Sequence, residues 1–276
     1  MERIKIIGKG SPVVGIMSLV HGNEPCGLSA IDSLKDVKLK KGTLILIKAN
    51  LEAGKENKRF LEKNLNRSFP GDENGLLEEK IAFKLYPYIQ KCDFLLDLHS
   101  TSGETDPFTI VKKDNPDLEK YALMLGINKY VEMGDQLNGT SIDGGGIKFN
   151  IECGQHDSES SKEVAIKVVN NFLKSLGLIE GNVDKVKLSK FKVVETIKID
   201  NKENFIPNSK LEPFKIVKKG ESLGSFPDKD IVSSADLYPL MIDKKIEEDY
   251  MYMMVPCETQ VQDQKTEDEI LEVVKL

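Results

Sequence analysis

An α/β fold, a mixed and largely parallel sheet flanked by helices and followed by a smaller all-β domain, is predicted by three features of the sequence. Over about the first 180 residues, short apolar runs alternate with segments of helical spacing. Those runs read as buried strands. After about residue 181 the texture changes to short stretches broken by Pro207, Pro213, Gly220, Gly224, Pro227 and Pro239. The change predicts a larger domain over 1–185 and a small β-rich domain over 190–276.

The elements follow in order. Residues 12–20 (PVVGIMSLV) form the first expected strand and 25–36 the first helix. The strand at 43–49 (TLILIKA) leads into a polar loop, 58–71. A helix over 75–91, a strand over 93–98 (DFLLDL) and a helix over 115–126 come next, then a strand over 147–153 (IKFNIEC). The clearest helix is 161–177, with a capping box from Ser160 and Glu163, apolar residues at Ala165, Val168, Val169, Phe172, Leu173 and Leu176, and Gly177 as its stop. In the C-terminal part, FKIVKKGESLGSF and IVSSADLYPLMIDK resemble the half-barrel of biotinyl and lipoyl carrier domains in architecture only. No Met-Lys-Met-type attachment turn is present, and Lys244 and Lys245 sit in an ordinary charged stretch.

Composition narrows the function. With 39 basic against 45 acidic residues and a formal charge of -6, a nucleic-acid partner held by phosphate neutralisation is not expected. A small-molecule substrate is. No apolar run approaches the ~20 residues of a membrane span, and MERIKIIGKG lacks the apolar core of a signal peptide, so a cytoplasmic protein is expected. Cys26, Cys92, Cys153 and Cys257 form no CxxC pair, which fits a reducing compartment. Homo-oligomer formation is left open.

Ligands in open α/β sheets bind at the carboxyl edge of the strands, so what each strand delivers there matters. The first expected strand ends at His21, the second leads towards Arg59 and Arg67, the third ends at His99 and the fourth runs into Glu152. In HGNEPCG, His21 and Glu24 stand three apart on a turn from strand to helix, where imidazole and carboxylate can converge on one cation; His99 would complete a two-histidine, one-glutamate zinc set with a position left open. Two of only three histidines are thereby used. Asp97 lies two before His99 and so on the same strand face. It is either a buried carboxylate bonded to backbone or the acceptor that orients the ligand imidazole. The 39 basic residues include only three arginines, and two of them, Arg59 and Arg67, share one loop. With Asn66 they offer planar donors for a substrate carboxylate and a developing oxyanion; the alternative is a solvated loop tethered by ion pairs. Glu152, followed by Gly154, suits a general base acting on metal-bound water. His156 is given a secondary role, Asn64 a part in loop structure, and Gly144, Gly145 and Gly146 a flexible loop without a phosphate-binding pattern.

HGNEPCG, NLNRSFPG, DLHST and IECG, in that order and spacing, resemble the motifs of the succinylglutamate desuccinylase and aspartoacylase family, a branch of the zinc carboxypeptidase-like fold. The resemblance spans roughly 21–154. It implies one zinc per chain held by His21, Glu24 and His99, Arg59 polarising the scissile carbonyl, Asn66 and Arg67 holding the amino-acid carboxylate, and Glu152 as general acid and base. The implied activity is zinc-dependent hydrolysis of a non-peptide amide bond, a deacylase acting on an N-acyl amino acid or similar small carboxylate. A metallocarboxypeptidase on short peptides and a non-catalytic zinc- and metabolite-binding protein are the alternatives. In one respect the chain departs from aspartoacylases. Between 133 and 151 it lacks the arginine and tyrosine that grip an acidic side chain there, offering only Lys148. N-acetylaspartate is therefore not expected to be its best substrate. The C-terminal tyrosine of that pocket is open among Tyr238, Tyr250 and Tyr252.

Overall fold

The computed structural model describes residues 2–114, 116–143, 146–200, 202–240 and 250–257. Gly144, Gly145, Lys244 and Lys245 lie outside the described residues. The strands are β1 (Ile4–Gly8), β2 (Val13–Ser18), β3 (Thr43–Lys48), β4 (Phe94–Thr101), β5 (Phe108–Val111), β6 (Lys129–Glu132), β7 (Ile147–Gln155), β8 (Ser189–Lys198), β9 (Ile206–Pro207), β10 (Ser222–Phe226), β11 (Lys229–Val232), β12 (Tyr238–Pro239) and β13 (Tyr250–Pro256). The helices are α1 (Cys26–Ser33), α2 (Leu51–Lys55), α3 (Leu77–Ile89), α4 (Pro116–Ala122) and α5 (Glu159–Ser175).

Ten strands form one sheet in the order β1-β3-β2-β4-β7-β5-β6-β8-β13-β12. Its centre, β3-β2-β4-β7, is parallel, with Ile16 opposite both Leu46 and Leu96. β1 closes one edge antiparallel to β3, and β5 runs antiparallel to β7. The sheet is thus mixed and mostly parallel, flanked by helices, as the sequence predicts. β8 pairs with β6 in parallel and with β13, so the large sheet continues past residue 190. β9, β10 and β11 form a separate three-stranded antiparallel sheet around Phe205, Val217, Leu223 and Leu237.

The two-residue period of the strands decides where chemistry can sit. On β4, Phe94, Leu96 and Leu98 face α1 and α5, as do Phe149, Ile151 and Cys153 on β7. The alternate residues Asp97, His99, Asn150 and Glu152 must then point to the opposite face. That face is covered lower down by Ile81, Leu85 and Ile89 of α3, which pack on Met17, Ile47 and Leu95. Above this apolar floor the same face opens into the site.

Two local expectations change. The long helix is capped by Ser158, whose Oγ accepts from the Ser161 backbone N–H at 3.0 Å, and not by Ser160. Ser160 already lies in the first turn, so the box with Glu163 does not form; Gly177 does take the left-handed conformation just past the end. His99 and Glu152 are not at strand ends either. β4 runs on to Thr101 and β7 to Gln155, with a bulge between His99 and Thr101 that re-aims the strand next to the site.

Candidate active site

Glu24 is the hub of the site. Its Oε1 lies 2.7 Å from His21 Nδ1 and accepts from Arg59 Nη1 at 3.0 Å; its Oε2 lies 2.9 Å from His99 Nδ1 and accepts from the Ser100 backbone N–H at 3.2 Å. His21, Glu24 and His99 are all buried, and each offers a ligand atom within 4.8 Å of the others. Both imidazoles turn Nδ1 inward and leave Nε2 for support from behind. Asn64 Oδ1 lies 3.1 Å from His21 Nε2, and Asp97 Oδ2 lies 3.1 Å from His99 Nε2. Two imidazoles and a carboxylate, each imidazole backed by an oxygen, are the donor set and outer support that suit a catalytic zinc. The donors present therefore fit the ion.

Charge within the cluster follows from this packing. Burial works against ionisation of Glu24, but the neighbouring His21 and His99 hold its carboxyl well below the usual range. Burial likewise opposes a charge on His99, yet Asp97 and Glu24 raise its pKa well above that of a free imidazole. His21 is lowered, chiefly by burial and also by the Arg59 charge, against the pull of Glu24.

Asp97 also accepts from Ser141 Oγ, whose backbone N–H donates to Asn66 Oδ1 at 3.2 Å. An ion pair from His99 to Asp97, continued by hydrogen bonds through Ser141, thus joins His99 to the loop that carries Asn66 and Arg67. Gly22 fixes the same loop from the other side. Its N–H donates to the Arg59 carbonyl at 3.1 Å, and a Cβ there would stand 2.3 Å from the Ala53 carbonyl carbon and 2.4 Å from the Lys58 oxygen. Glycine is needed at this position for close approach of backbone.

The loop is not simply a solvated connection. Glu78, at the start of α3 and fully buried, accepts from the backbone N–H groups of Leu61 (2.7 Å), Glu62 (3.1 Å) and Lys63 (3.0 Å) and from Asn50 Nδ2 (3.2 Å). Burial pushes its carboxyl up, but these donors outweigh burial and hold it below its ordinary value. A lowered folded-state pKa contributes stability that is present above the unfolded value and lost as pH falls through the folded one. Glu78→Gln should therefore be less stable than wild type at neutral pH, by roughly 1–3 kcal/mol for the charge-assisted bonds weakened. The gap should close at pH values below the ordinary 4.5. Urea titrations at both pH values check this; an equal gap at both would mean that ionised Glu78 does not anchor the loop.

Around the cluster lies an open cleft of about 630 Å³, counted out to its mouth. Arg59, Asn66, Arg67 and Glu152 all line it. Arg67 is braced by donation from Nη1 to the Asn66 carbonyl at 2.7 Å. Glu152 is buried, its Oε2 has no partner among the described residues, and burial pushes its carboxyl up to about 8, with His99 opposing and Glu24 assisting. One wall is apolar, made by Ile110, Met133 and Leu137, and Tyr252 of β13 reaches the cleft from the C-terminal part. Of the three candidate tyrosines, Tyr252 thus lines the cleft; Tyr250 is exposed, and Tyr238 packs on Phe191.

Every expected site residue is drawn together, and Asp97 sits behind the imidazole of His99. Lys148, the cation that 133–151 offers, does not line the cleft. It is buried, its charge neighbours are Cys92 and Asp143, and the cleft is lined instead by Asn150. Four residues of strand separate Lys148 from Glu152 by about 13 Å, which places the lysine too deep in the sheet. Asn64, Ser100, Ser141 and Glu78 were missed as site residues. Asn64, in NLNRSFPG, and Ser100, in DLHST, carried a signal; Ser141 and Glu78 did not.

Residues 11–147 match the family described as the Succinylglutamate desuccinylase/Aspartoacylase catalytic domain. An N-alpha-acetyl-L-2,4-diaminobutyric acid deacetylase from Halomonas elongata is 29% identical over 188 residues, 59% of this chain and 54% of that protein. A probable aspartoacylase from Acaryochloris marina is 36% identical over 121 residues, 37% of this chain and 39% of that protein. The chain thus spans about half, or less, of the length of these curated relatives. Among solved structures, a succinylglutamate desuccinylase/aspartoacylase from Rhodobacter sphaeroides superposes with a TM-score of 0.75 at 20% identity, covering 93% of this chain and 89% of that one. At that identity the likeness speaks for the fold alone.

Proposed function

The chain belongs to the succinylglutamate desuccinylase/aspartoacylase family, and from that premise we propose that it is a zinc-dependent deacylase that removes an acyl group from the nitrogen of an amino acid or similar small carboxylate. The observation that carries the reading is the juxtaposition in one cleft of the buried His21–Glu24–His99 cluster, a buried carboxyl at Glu152 and the paired donors Asn66 and Arg67. His21, Glu24 and His99 would hold the ion, which when bound supplies a Lewis acid for the scissile carbonyl and for water.

The remaining work falls to the chain. Arg67 offers a planar fork, already braced on Asn66, to the carboxylate of the amino acid, and the Asn66 amide stands beside it. Arg59, held by its carbonyl to Gly22 and by its guanidinium to Glu24, presents positive charge where the amide oxygen becomes negative. Glu152 takes the proton of the attacking water and returns it to the leaving amine; its carboxyl lines the cleft beside the cluster, with Oε2 unpartnered among the described residues.

The test is a turnover screen of the zinc-loaded protein on N-acyl amino acids, N-acetylaspartate and N-succinylglutamate included, beside short peptides with a free carboxyl terminus. Release of free amino acid from the N-acyl compounds, with peptides at least 10²-fold poorer in kcat/KM, is expected. Faster cleavage of peptides would assign the site to a carboxypeptidase, and binding without turnover to a metabolite-binding protein. N-acetylaspartate should not lead the panel. Besides Arg59 and Arg67, no guanidinium lines the cleft among the described residues to compensate a second buried carboxylate.

A further inference from the structure

His156 carries an interaction that the reading above leaves unused. It follows β7 directly, and its backbone N–H donates to the Thr101 carbonyl at 2.8 Å, which pins the residue to the end of β4. Its Nδ1 lies 2.8 Å from Ser100 Oγ, and Ser100 is itself fixed by its backbone bond to Glu24. The other ring nitrogen, Nε2, is buried without a hydrogen-bond partner among the described residues, although His156 lines the cleft. Asn150 Oδ1 and Ser102 Oγ, from the same cleft lining, are buried and unpartnered in the same way.

The hydrogen on Nε2 follows from its neighbours. Ser100 is buried, and His156 is the one partner found for its hydroxyl among the described residues. A ring with a single hydrogen satisfies both groups only if Ser100 donates to Nδ1, which leaves the hydrogen on Nε2. A ring with two hydrogens carries one there as well. In either case an N–H group stands in the cleft without an acceptor, an arrangement that is costly unless a ligand supplies one.

We propose that His156, held by Ser100, is a specificity residue that donates from Nε2 to a neutral oxygen acceptor on the substrate, beyond the scissile amide and the α-carboxylate. The inference rests on the deacylase reading and deepens it. A neutral acceptor is the chemistry favoured, because Ile110, Met133 and Leu137 line the cleft and its guanidinium groups, Arg59 and Arg67, are both assigned above to the amide and the carboxylate. Amide, hydroxyl and carbonyl oxygens fit this description whether they sit on the side chain or on the acyl group.

Two matched pairs separate these sources. N-acetylglutamine against N-acetylleucine varies the side chain; N-glycolyl-leucine against N-propionyl-leucine exchanges a hydroxyl for a methyl at the acyl end. Wild type should prefer the oxygen-bearing member of one pair in kcat/KM. In His156→Ala that preference should fall about ten-fold, the worth of one hydrogen bond. His156→Gln, which restores an N–H near the position of Nε2, should recover part of it, and Ser100→Ala should lose much of it, with zinc content unchanged in all three. An undiminished preference in His156→Ala, or no preference in wild type for either pair, would overturn the proposal while leaving the deacylase reading intact. Failure of wild type to hydrolyse any of the four would overturn the proposal, and failure on N-acetylaspartate and N-succinylglutamate as well would overturn both.

Discussion

Glu152→Gln should keep the fold and the bound zinc while lowering kcat by about 10²–10⁴-fold, the usual worth of a positioned acid–base group. The amide matches the carboxylate in shape and cannot accept the proton. KM should change little, because the α-carboxylate is assigned to Asn66 and Arg67. A second readout comes from stability in the metal-free protein. Burial raises the Glu152 carboxyl from 4.5 to about 8, so the folded chain binds this proton more tightly than the unfolded one. A raised pKa of this kind means that stability is fully present below the unfolded value and is lost as pH rises towards 8. Wild type without metal should therefore lose melting temperature across that window, and Glu152→Gln should lose less. Wild-type turnover in the variant would return Glu152 to a structural role and move the proton transfer to another group lining the cleft.

The parts of this site that can be read from sequence lie on strands buried on both faces. β2 and β3 are mostly apolar runs and β7 alternates apolar with polar residues, though all but its two ends are buried; a polar residue inside such a strand, as Asp97 and His99 are in FLLDLHST, stands out because burial without a task would be costly. β5 and β6, four residues each, offer too short a pattern, and β1 is an edge strand with mixed burial. What links the motifs is hidden for a different reason. Asn64 meets His21 across 43 positions, Ser100 meets His156 across 56 and Ser141 meets Asn66 across 75, so only the crossing order of the sheet brings them together. Glu78 sits beside Glu79 in the first turn of α3, where acidic residues are expected on any helix. Nothing in the spacing says that Glu78 turns inward to hold a loop while Glu79 caps the helix.

His21→Ala and His99→Ala should each take zinc from about one per chain to near none after dialysis, since a catalytic-type set has only three protein ligands. The loss in affinity should exceed the roughly 10–100-fold that follows removal of an outer partner, which is the effect expected for Asn64→Ala. The two variants should differ once metal is absent. His99 stands between Glu24 and Asp97, and its pKa is raised well above the ordinary value, so in the metal-free chain it is the cation that separates two buried carboxylates. Its removal leaves them with less compensation, a situation that costs on the order of 3–5 kcal/mol when a buried pair is broken. His21 is lowered instead, mainly by burial, so the metal-free fold depends less on any charge it carries. Chelated His99→Ala should accordingly melt well below chelated His21→Ala, although both have lost the same ion. Elemental analysis checks the first expectation and calorimetry of the chelated proteins the second. Full zinc occupancy in either variant would sink the ligand assignment, and equal melting temperatures would show that His99 does not bridge Glu24 and Asp97 as a cation.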